Sequence, residues 1–220
     1  RLIQMGEERQ NIHIIGSPDL DIMFSKKLPS IKEVFKRYQI PFDNYSIFMF
    51  HPITTEINSL KKNTETIVDT LIKDNRNYIV IYPNNDLGSE IILEIYEKFK
   101  QYKRFRIYPS IRFEYFLTLL KNANFIIGNS SAGIREAPSY NIPTINIGSR
   151  QNNRSFSDSI INVNYSCYDI NKALKNIINI QDLNPTFDFG YGNSDEKFIK
   201  ILLSENLWET SKQKYFIDSE

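Results

Sequence analysis

The sequence contains a single cysteine, Cys167, among its 220 residues, so an internal disulfide is impossible. This cysteine usage gives no sign of an oxidising compartment, and we therefore expect a cytoplasmic protein. Because Cys167 lies beside an apolar run, the sequence predicts that it is a small buried hydrophobic residue.

The sequence also lacks an excess of charge of either sign. Lysine and arginine total 27 against 26 aspartates and glutamates, so the formal net charge is +1. This balance gives no electrostatic reason to expect a nucleic acid or a membrane as a partner. No apolar run is long enough to span a bilayer, and the first residues do not resemble a signal peptide. The chain opens at Arg1 without an initiating methionine, and we expect it to continue a longer protein.

Several signatures of catalytic chemistry are missing as well. The sequence has no Walker motif, no cluster of cysteine and histidine with metal-ligand spacing, and no readable Ser-His-Asp set. The predicted strand ends offer no pair of carboxylates for acid–base catalysis. We therefore expect no metal and no bound cofactor.

What the sequence does contain is a regular alternation of short apolar runs and amphipathic segments. Helices are predicted over 31–39, 55–74, 89–100, 112–122, 170–180 and 197–203. Strands are predicted over 11–18, 45–50, 78–82, 104–108, 124–127, 143–147 and 159–164. Because the strands are continuous apolar runs separated by helices, the pattern predicts an α/β fold: a Rossmann-like parallel sheet with helices on both faces.

The most informative stretch runs Phe125-Ile-Ile-Gly-Asn-Ser-Ser-Ala-Gly-Ile-Arg-Glu-Ala-Pro138. It predicts a strand, a tight turn of small polar residues and the beginning of a helix. Backbone N–H groups at such a turn suit a phosphate, and the side chains of Asn129 to Ser131 are able to cap the helix. Glu136, about one turn further on, is close enough to reach a ribose on the turn. A plain strand–turn–helix connection has the same pattern, so this stretch alone leaves both interpretations open.

Polar side chains also follow the other predicted strands, at the sheet edge where ligands of open parallel sheets bind. Each has an ordinary alternative: His51-Pro52 suits a turn, and Arg150 suits a solvated loop. Several strand ends that meet at one edge favour a nucleotide site, in which Arg150 would contact phosphate and His51 a phosphate or leaving-group oxygen. The residues in question are His51, Asn84, Ser110, Ser130, Ser131 and Arg150.

Four of these segments together resemble a known family. They are Phe-His-Pro-Ile-Thr-Thr-Glu at 50–56, Tyr-Pro-Asn at 82–84, Gly-Asn-Ser-Ser-Ala-Gly-Ile-Arg-Glu-Ala-Pro at 128–138 and Ile-Asn-Ile-Gly-Ser-Arg-Gln-Asn-Asn-Arg at 145–154. In this combination the chain resembles the hydrolysing UDP-N-acetylglucosamine 2-epimerases of sialic and related nonulosonic acid synthesis, in register over about residues 1 to 165. The resemblance implies the C-terminal half of a two-domain GT-B fold, with UDP in the cleft between the domains.

The resemblance also implies roles for individual residues. His51 would contact the diphosphate and support catalysis, Glu136 would bind the ribose, and Arg150 would lie at the nucleotide. The remaining implied UDP contacts are Ser130 and Ser131 at phosphate, Asn84 lining the site, and Ser110, Ile111 and Phe113 around the uracil. No metal is implied.

By the same resemblance, the reaction is elimination of UDP from UDP-N-acetylglucosamine, followed by addition of water to give N-acetylmannosamine. The carboxylates that move the protons would belong to an N-terminal domain of the same enzyme. We therefore expect this chain alone to be inactive, and the full-length enzyme to be a homo-oligomer. The implied organisation is a linker over 1–10, the nucleotide-binding domain over 11–181 and a C-terminal tail with a helix over 182–220.

Other functions stay open from the sequence. The nearest is the same chemistry on another UDP-sugar, such as UDP-diacetylbacillosamine, because changes in the loop near 152–158 leave the sugar undetermined. A nucleotide-binding module without catalytic activity is a second alternative. A retaining glycosyltransferase of similar fold is a third, which the Asn-Ser-Ser turn disfavours.

Overall fold

A six-stranded parallel sheet forms the core of the chain between Lys27 and Asp188. The structure, a computed structural model, describes residues 1–155, 157–180 and 184–213. The order of the strands across the sheet is β3-β2-β1-β4-β5-β6, and every neighbouring pair is parallel. The strands are β1 Ser46–Met49, β2 Tyr78–Ile81, β3 Phe105–Tyr108, β4 Ile126–Gly128, β5 Thr144–Ile147 and β6 Ile160–Val163.

Helices connect the strands, and most lie where the apolar periodicity predicts them. Among the described residues, no helix is both long and apolar enough to cross a membrane. The α-helices are α1 Pro18–Met23, α2 Ile31–Tyr38, α3 Ile57–Lys73, α4 Ser89–Tyr96, α5 Phe113–Lys121, α6 Ala132–Arg135, α7 Cys167–Asn176, α8 Ser194–Leu202 and α9 Glu205–Trp208. Single-turn 3-10 helices include Thr54–Glu56 and Ala137–Tyr140.

Both faces of the sheet are covered by helices. Alternate residues of a strand face opposite sides, and on one side Phe48, Val80 and Ile127 join a buried cluster with residues of α3, α4 and α7. On the other side the hydroxyl of Thr144 donates to the carbonyl of Gly133 in α6, at 2.7 Å. The predicted α/β fold is therefore confirmed.

Local sequence explains where some helices begin and end. Ser30 and Glu33 form a capping box at the start of α2, in which each side chain binds the backbone N–H of the other residue. Gln39 then takes a left-handed conformation two residues before Pro41, as expected where a proline prevents continuation of a helix. Asn141, which ends the 3-10 helix Ala137–Tyr140, is also left-handed with φ 59°, a conformation that asparagine tolerates better than most residues.

A second unit consists of Arg1–Lys26 together with the chain from Phe189 onward. Its best-defined contact is made by Asp21 of α1, which caps the beginning of α8. The Asp21 carboxylate accepts hydrogen bonds from the backbone N–H groups of Ser194 and Asp195, at 2.9 and 3.0 Å. These bonds and the Ser194 hydroxyl lower the pKa of Asp21 against the opposing effect of desolvation by burial. The domain boundaries implied by the resemblance stay a prediction.

Two predictions from the sequence are wrong. The segment 11–18 forms no strand, and Ile14 within it is 87% exposed, because it pairs with no neighbouring strand and only its hydrophobic composition suggested one. Cys167 is exposed rather than buried, because it is the first residue of α7, and the buried face of that helix is formed by Ile170, Ala173 and Leu174.

Gly128 brings two strands together more closely than any other residue type would allow. It ends β4, opposite Met49 of β1, and its φ is 131°. A Cβ atom at this position would overlap the carbonyl oxygen of Met49. That carbonyl instead accepts a hydrogen bond from the N–H of Asn129, at 3.1 Å. The turn after β4 is thereby fixed against β1.

We expect Gly128→Ala to lower the free energy of unfolding by at least about 3 kcal/mol, because backbone strain and overlap with a carbonyl add together. Gly88→Ala is the matched control, since Gly88 has φ 94° but its Cβ would overlap only the flexible ends of Ile57 and Leu60, with Pro52 at ordinary contact distance. Urea unfolding of both variants measures the difference. Equal losses for the two variants would contradict the importance of the Met49 contact.

Candidate nucleotide site

The polar residues that follow the strands meet at the carboxyl edge of the sheet, as the parallel order requires. Strands β1, β2 and β3 run outward to one side, and the chain then returns to place β4 on the other side of β1. The crevice between β1 and β4 is therefore the point where the strand order reverses, which is the usual ligand position in open α/β sheets. His51 follows β1, and Ser130 and Ser131 follow β4.

The side chain of Asn129 holds this crevice together. Its Oδ1 accepts from the backbone N–H of His51 at 2.7 Å, and its Nδ2 donates to the His51 carbonyl at 2.8 Å. The backbone carbonyl of Asn129 accepts from Arg150 Nη1 at 3.1 Å and from Gln151 Nε2 at 3.0 Å. Asn129 is fully buried. The structure thus brings His51, the turn after β4 and Arg150 into one hydrogen-bonded group.

This arrangement corrects the predicted role of Asn129 and adds Gln151 to the site. Asn129 does not cap the following helix, because its amide is committed to both backbone groups of His51. Gln151, buried beside it, was not predicted at all. An amide that pairs with the backbone of another strand leaves no periodic signal in the sequence, so no pattern could have identified these roles.

His51 is held in one tautomer. Its Nδ1 accepts from the backbone N–H of Asn84 at 3.1 Å, and a backbone N–H can only donate, so the proton of the neutral ring lies on Nε2. The side-chain Oδ1 of Asn84 lies 3.1 Å from the same Nδ1 and would accept a hydrogen bond from it if the ring became charged. Asn84 in turn donates from Nδ2 to Asp86 at 2.5 Å.

The surroundings of His51 favour its neutral form. Burial and the nearby Arg150 guanidinium lower the pKa of His51 to about 4, against smaller opposing effects of Asn84 and Asp86. At neutral pH the ring is therefore an uncharged Nε2–H donor. It is suited to donate a hydrogen bond to an anionic oxygen, whereas Nδ1 is already occupied.

Arg150 supplies the positive charge of the crevice. Its side chain is half-buried, and this burial lowers its pKa, with Asp86 opposing the change and Arg154 adding to it. A guanidinium nevertheless stays charged in proteins at neutral pH. Arg150 therefore places a cation beside a neutral histidine, which suits a phosphate that needs both charge and a directional donor.

The turn after β4 carries free donors, and the helix that follows it is short. Ser130 Oγ accepts from the N–H of Ala132 at 3.3 Å. Within the residues that the structure describes, the backbone N–H groups of Ser130 and Ser131 donate no hydrogen bond. Helix α6 has only four residues because Pro138, which lacks an N–H, cannot extend it. A helix this short has little dipole, so the N–H groups themselves are the anion donors.

Glu136 lies directly after α6 and is buried. Burial, and then the Glu136 carboxylate, raise the pKa of the Tyr140 hydroxyl. Glu136 thus follows Ser131 by five residues, with helix α6 between them. Its implied contact with a ribose stays a prediction.

The three residues implied for uracil lie at the far end of the same edge. Ser110 and Ile111 follow β3, and Phe113 begins α5. Strand β3 is separated from β4 by β2 and β1, which corresponds to about 14 Å at the usual strand spacing. Ser110 is exposed, while Ile111 and Phe113 are partly buried. Among the described residues, no hydrogen bond joins these three to the group around Asn129, so their role stays a prediction.

The donor set gives no indication of a metal site. Within residues 1–155, 157–180 and 184–213, no group of three or more histidine, cysteine, aspartate or glutamate side chains is placed to hold a metal ion. The chemistry available at the sheet edge is hydrogen bonding to an anion and the positive charge of Arg150, with Arg154 close enough to lower the Arg150 pKa.

Comparison with known proteins identifies relatives over nearly the whole chain. A protein-family model described as UDP-N-acetylglucosamine 2-epimerase matches residues 1–203. A protein of that name from Neisseria meningitidis serogroup B is 47% identical over 221 residues, covering 99% of this chain and 58% of the relative. A UDP-N,N'-diacetylbacillosamine 2-epimerase (hydrolyzing) from Legionella pneumophila is 31% identical, covering 92% of this chain and 54% of the relative. The chain thus spans about half the length of the curated relatives it matches.

Solved structures agree on the fold. The UDP-GlcNAc 2-epimerase of Methanocaldococcus jannaschii in complex with UDP-GlcNAc and UDP matches with a TM-score of 0.73 at 22% identity, covering 91% of this chain and 57% of that one. The C-terminal domain of a glycosyl transferase group 1 family protein from Francisella tularensis matches with a TM-score of 0.51 at 13% identity, covering 83% and 96%. At these identities the similarity concerns the fold alone, and it agrees with the predicted GT-B type.

The similar structures show the fold, and the sequence matches also show the family. The family model covers most of the chain, and the Neisseria relative is similar from one end of it to the other. The chain belongs to the UDP-N-acetylglucosamine 2-epimerase family.

Proposed function

We propose that this chain is the C-terminal, UDP-binding domain of a hydrolysing UDP-N-acetylglucosamine 2-epimerase. The full-length enzyme converts UDP-N-acetylglucosamine into N-acetylmannosamine and UDP, for sialic acid synthesis. The observation that carries the proposal is the grouping of His51, Arg150 and the Ser130–Ser131 turn around Asn129 at the switch point of the sheet. In a chain of this family, such a group of anion donors suits the diphosphate of the substrate.

The chemistry of the site supports a role in departure of the nucleotide. In the proposed reaction the C2 proton is removed, the bond between C1 and the diphosphate oxygen breaks, and a C1–C2 double bond forms. Water then adds to this 2-acetamidoglucal. His51 donates a hydrogen bond from Nε2 to the departing diphosphate, and Arg150 balances its charge. Both interactions strengthen as negative charge develops on the leaving oxygen, so they stabilise the transition state more than the bound substrate.

A second domain is part of the proposal. The proton transfers need carboxylates, and at the crevice the only buried carboxylate, among the residues that the structure describes, is Glu136. We assign Glu136 to the ribose, so the acid and base belong to an N-terminal domain, in a full-length homo-oligomer. No metal or additional cofactor takes part in this proposal.

The sugar has a second candidate. The Legionella relative is named for UDP-N,N'-diacetylbacillosamine, and an Escherichia coli relative at 32% identity is named polysialic acid biosynthesis protein P7. The higher identity to the Neisseria relative, 47%, favours UDP-N-acetylglucosamine. Both candidates use the same elimination of UDP and differ only in the sugar.

A coupled assay for free UDP, with product analysis, tests the proposed function. We expect the full-length enzyme to release UDP and N-acetylmannosamine from UDP-N-acetylglucosamine, and the chain described here to release neither. Turnover by this chain alone would contradict the assignment of the acid and base to a second domain. Turnover of UDP-N,N'-diacetylbacillosamine alone would establish the second candidate. Absence of UDP release from either substrate would overturn the proposed function.

We expect Glu136→Ala to weaken UDP binding to the full-length enzyme by about ten- to a hundredfold, because a desolvated carboxylate accepts hydrogen bonds from both ribose hydroxyls. Glu94→Ala, on the exposed side of α4, is the matched control and should bind UDP as the parent does. Isothermal titration calorimetry measures both affinities. Unchanged UDP affinity of Glu136→Ala would remove Glu136 from the nucleotide site.

The low pKa of His51 predicts a pH dependence of stability. The folded pKa is about 4, whereas an unfolded histidine has a pKa of about 6.5. The stability that depends on the neutral ring is thus fully present above about pH 6.5 and is lost as the pH falls towards 4, by roughly 3 kcal/mol at most. We expect His51→Gln to reduce the fall in unfolding free energy between about pH 7 and pH 4.5, measured by urea denaturation.

The chain has one other histidine, which provides the control for this experiment. His13→Gln, at an exposed position, should leave the pH dependence as in the parent. If His51→Gln and the parent lose the same stability over this range, His51 is not held neutral by the fold.

A further inference from the structure

Glu56 ties together the ends of three strands at the carboxyl edge. It ends the 3-10 helix Thr54–Glu56, five residues after His51. Its Oε1 accepts from the hydroxyl of Ser149 at 2.5 Å, and its Oε2 accepts from the hydroxyl of Tyr165 at 2.6 Å. Ser149 follows β5 and Tyr165 follows β6. Each carboxylate oxygen is therefore committed to a different neighbouring loop.

Tyr165 is itself held firmly beside the His51 loop. Its ring lies edge-on to Phe50, with centroids 6.3 Å apart and an interplanar angle of 87°. Its hydroxyl lies against the backbone of Gly148, where φ is 78° and where a Cβ atom would overlap the phenol. Burial, and then the bond to Glu56, raise the pKa of this hydroxyl, so it remains a donor at neutral pH. Glu56 is therefore bonded to a rigid neighbour on one side.

On the other side, Glu56 is bonded to the residue before Arg150. The guanidinium of Arg150 reaches the Asn129 carbonyl, which fixes the far end of the side chain. The bond from Ser149 to Glu56 fixes the backbone end of the same residue. The loop after β5 is thus joined to the loop after β1 by two links, one through Asn129 and one through Glu56.

We propose that Glu56 is a positioning residue that holds the loop after β5 so that the Arg150 guanidinium faces the diphosphate of the UDP-sugar. The proposal rests on the proposed function of the site. Ser149 is exposed, so its bond to Glu56 contributes little to the free energy of unfolding of the whole domain. Its effect is on the placement of a charge, for which small displacements matter.

Calorimetry with UDP on the full-length enzyme tests the proposal. We expect Glu56→Ala to weaken UDP binding by about three- to thirtyfold, which lies within the range of coupling between residues in one hydrogen-bonded network. Glu56→Gln should bind nearly as the parent does, because an amide can accept from one hydroxyl and donate to the other. Glu94→Ala removes a carboxylate from the exposed side of α4 and serves as the control.

A double-mutant cycle separates positioning from a general structural effect. In an Arg150→Ala background, Glu56→Ala should weaken UDP binding no further, because the group that it positions is gone. If Glu56→Ala alone binds UDP as the parent does, or if its loss persists in the Arg150→Ala background, the positioning role is overturned. If the parent itself does not bind UDP, the proposed function fails and this proposal fails with it.

Hydrogen exchange provides a readout that does not depend on UDP. Glu56→Ala should speed exchange of the backbone amides in residues 148–152, while Glu56→Gln should not. Unchanged exchange of these amides in Glu56→Ala would contradict the proposal even if UDP binding is weakened.

Discussion

The site depends on the pairing between the Asn129 side chain and the backbone of His51. A carboxamide has one acceptor and one donor, and here they meet the N–H and the C=O of the same residue. The amide therefore continues the pairing of β1 and β4 beyond the last backbone bond of the ladder. Because Arg150 and Gln151 bind the Asn129 carbonyl, the loop after β5 depends on the same residue. Three strand ends are thus positioned by one buried residue, through its side chain on one side and its backbone carbonyl on the other.

The division of charge across the crevice follows from burial. Removing a histidine and an arginine from water penalises the charged form of each, but the guanidinium starts from a far higher pKa. Arg150 consequently keeps its charge, and that charge further disfavours a proton on His51. The result is one fixed cation beside one oriented neutral donor. Asp86, which lies at the exposed rim, opposes both shifts without cancelling either.

Much of the fold could be predicted because burial on both faces leaves continuous apolar runs in the sequence. The strands from β1 to β6 and the shared edge of His51, Ser131 and Arg150 follow from that pattern and from the parallel order. The segment 11–18 has the same composition but no partner strand, and composition alone does not report pairing. The roles of Asn129 and Gln151 could not be predicted either, because they depend on which loops the fold brings together.

The conformation of Gly128 limits which parts of this site can change their sequence. The turn that it begins lies against the Met49 carbonyl, so the start of the turn is set by contact between two backbones. Changes of sequence at this central turn therefore disturb the framework before they alter what is recognised. The end of β3 is different, since Ser110 is exposed and Ile111 and Phe113 are only partly buried. In directed evolution, a new ligand preference would be sought at that outer end, while the turn after Gly128 is left unchanged.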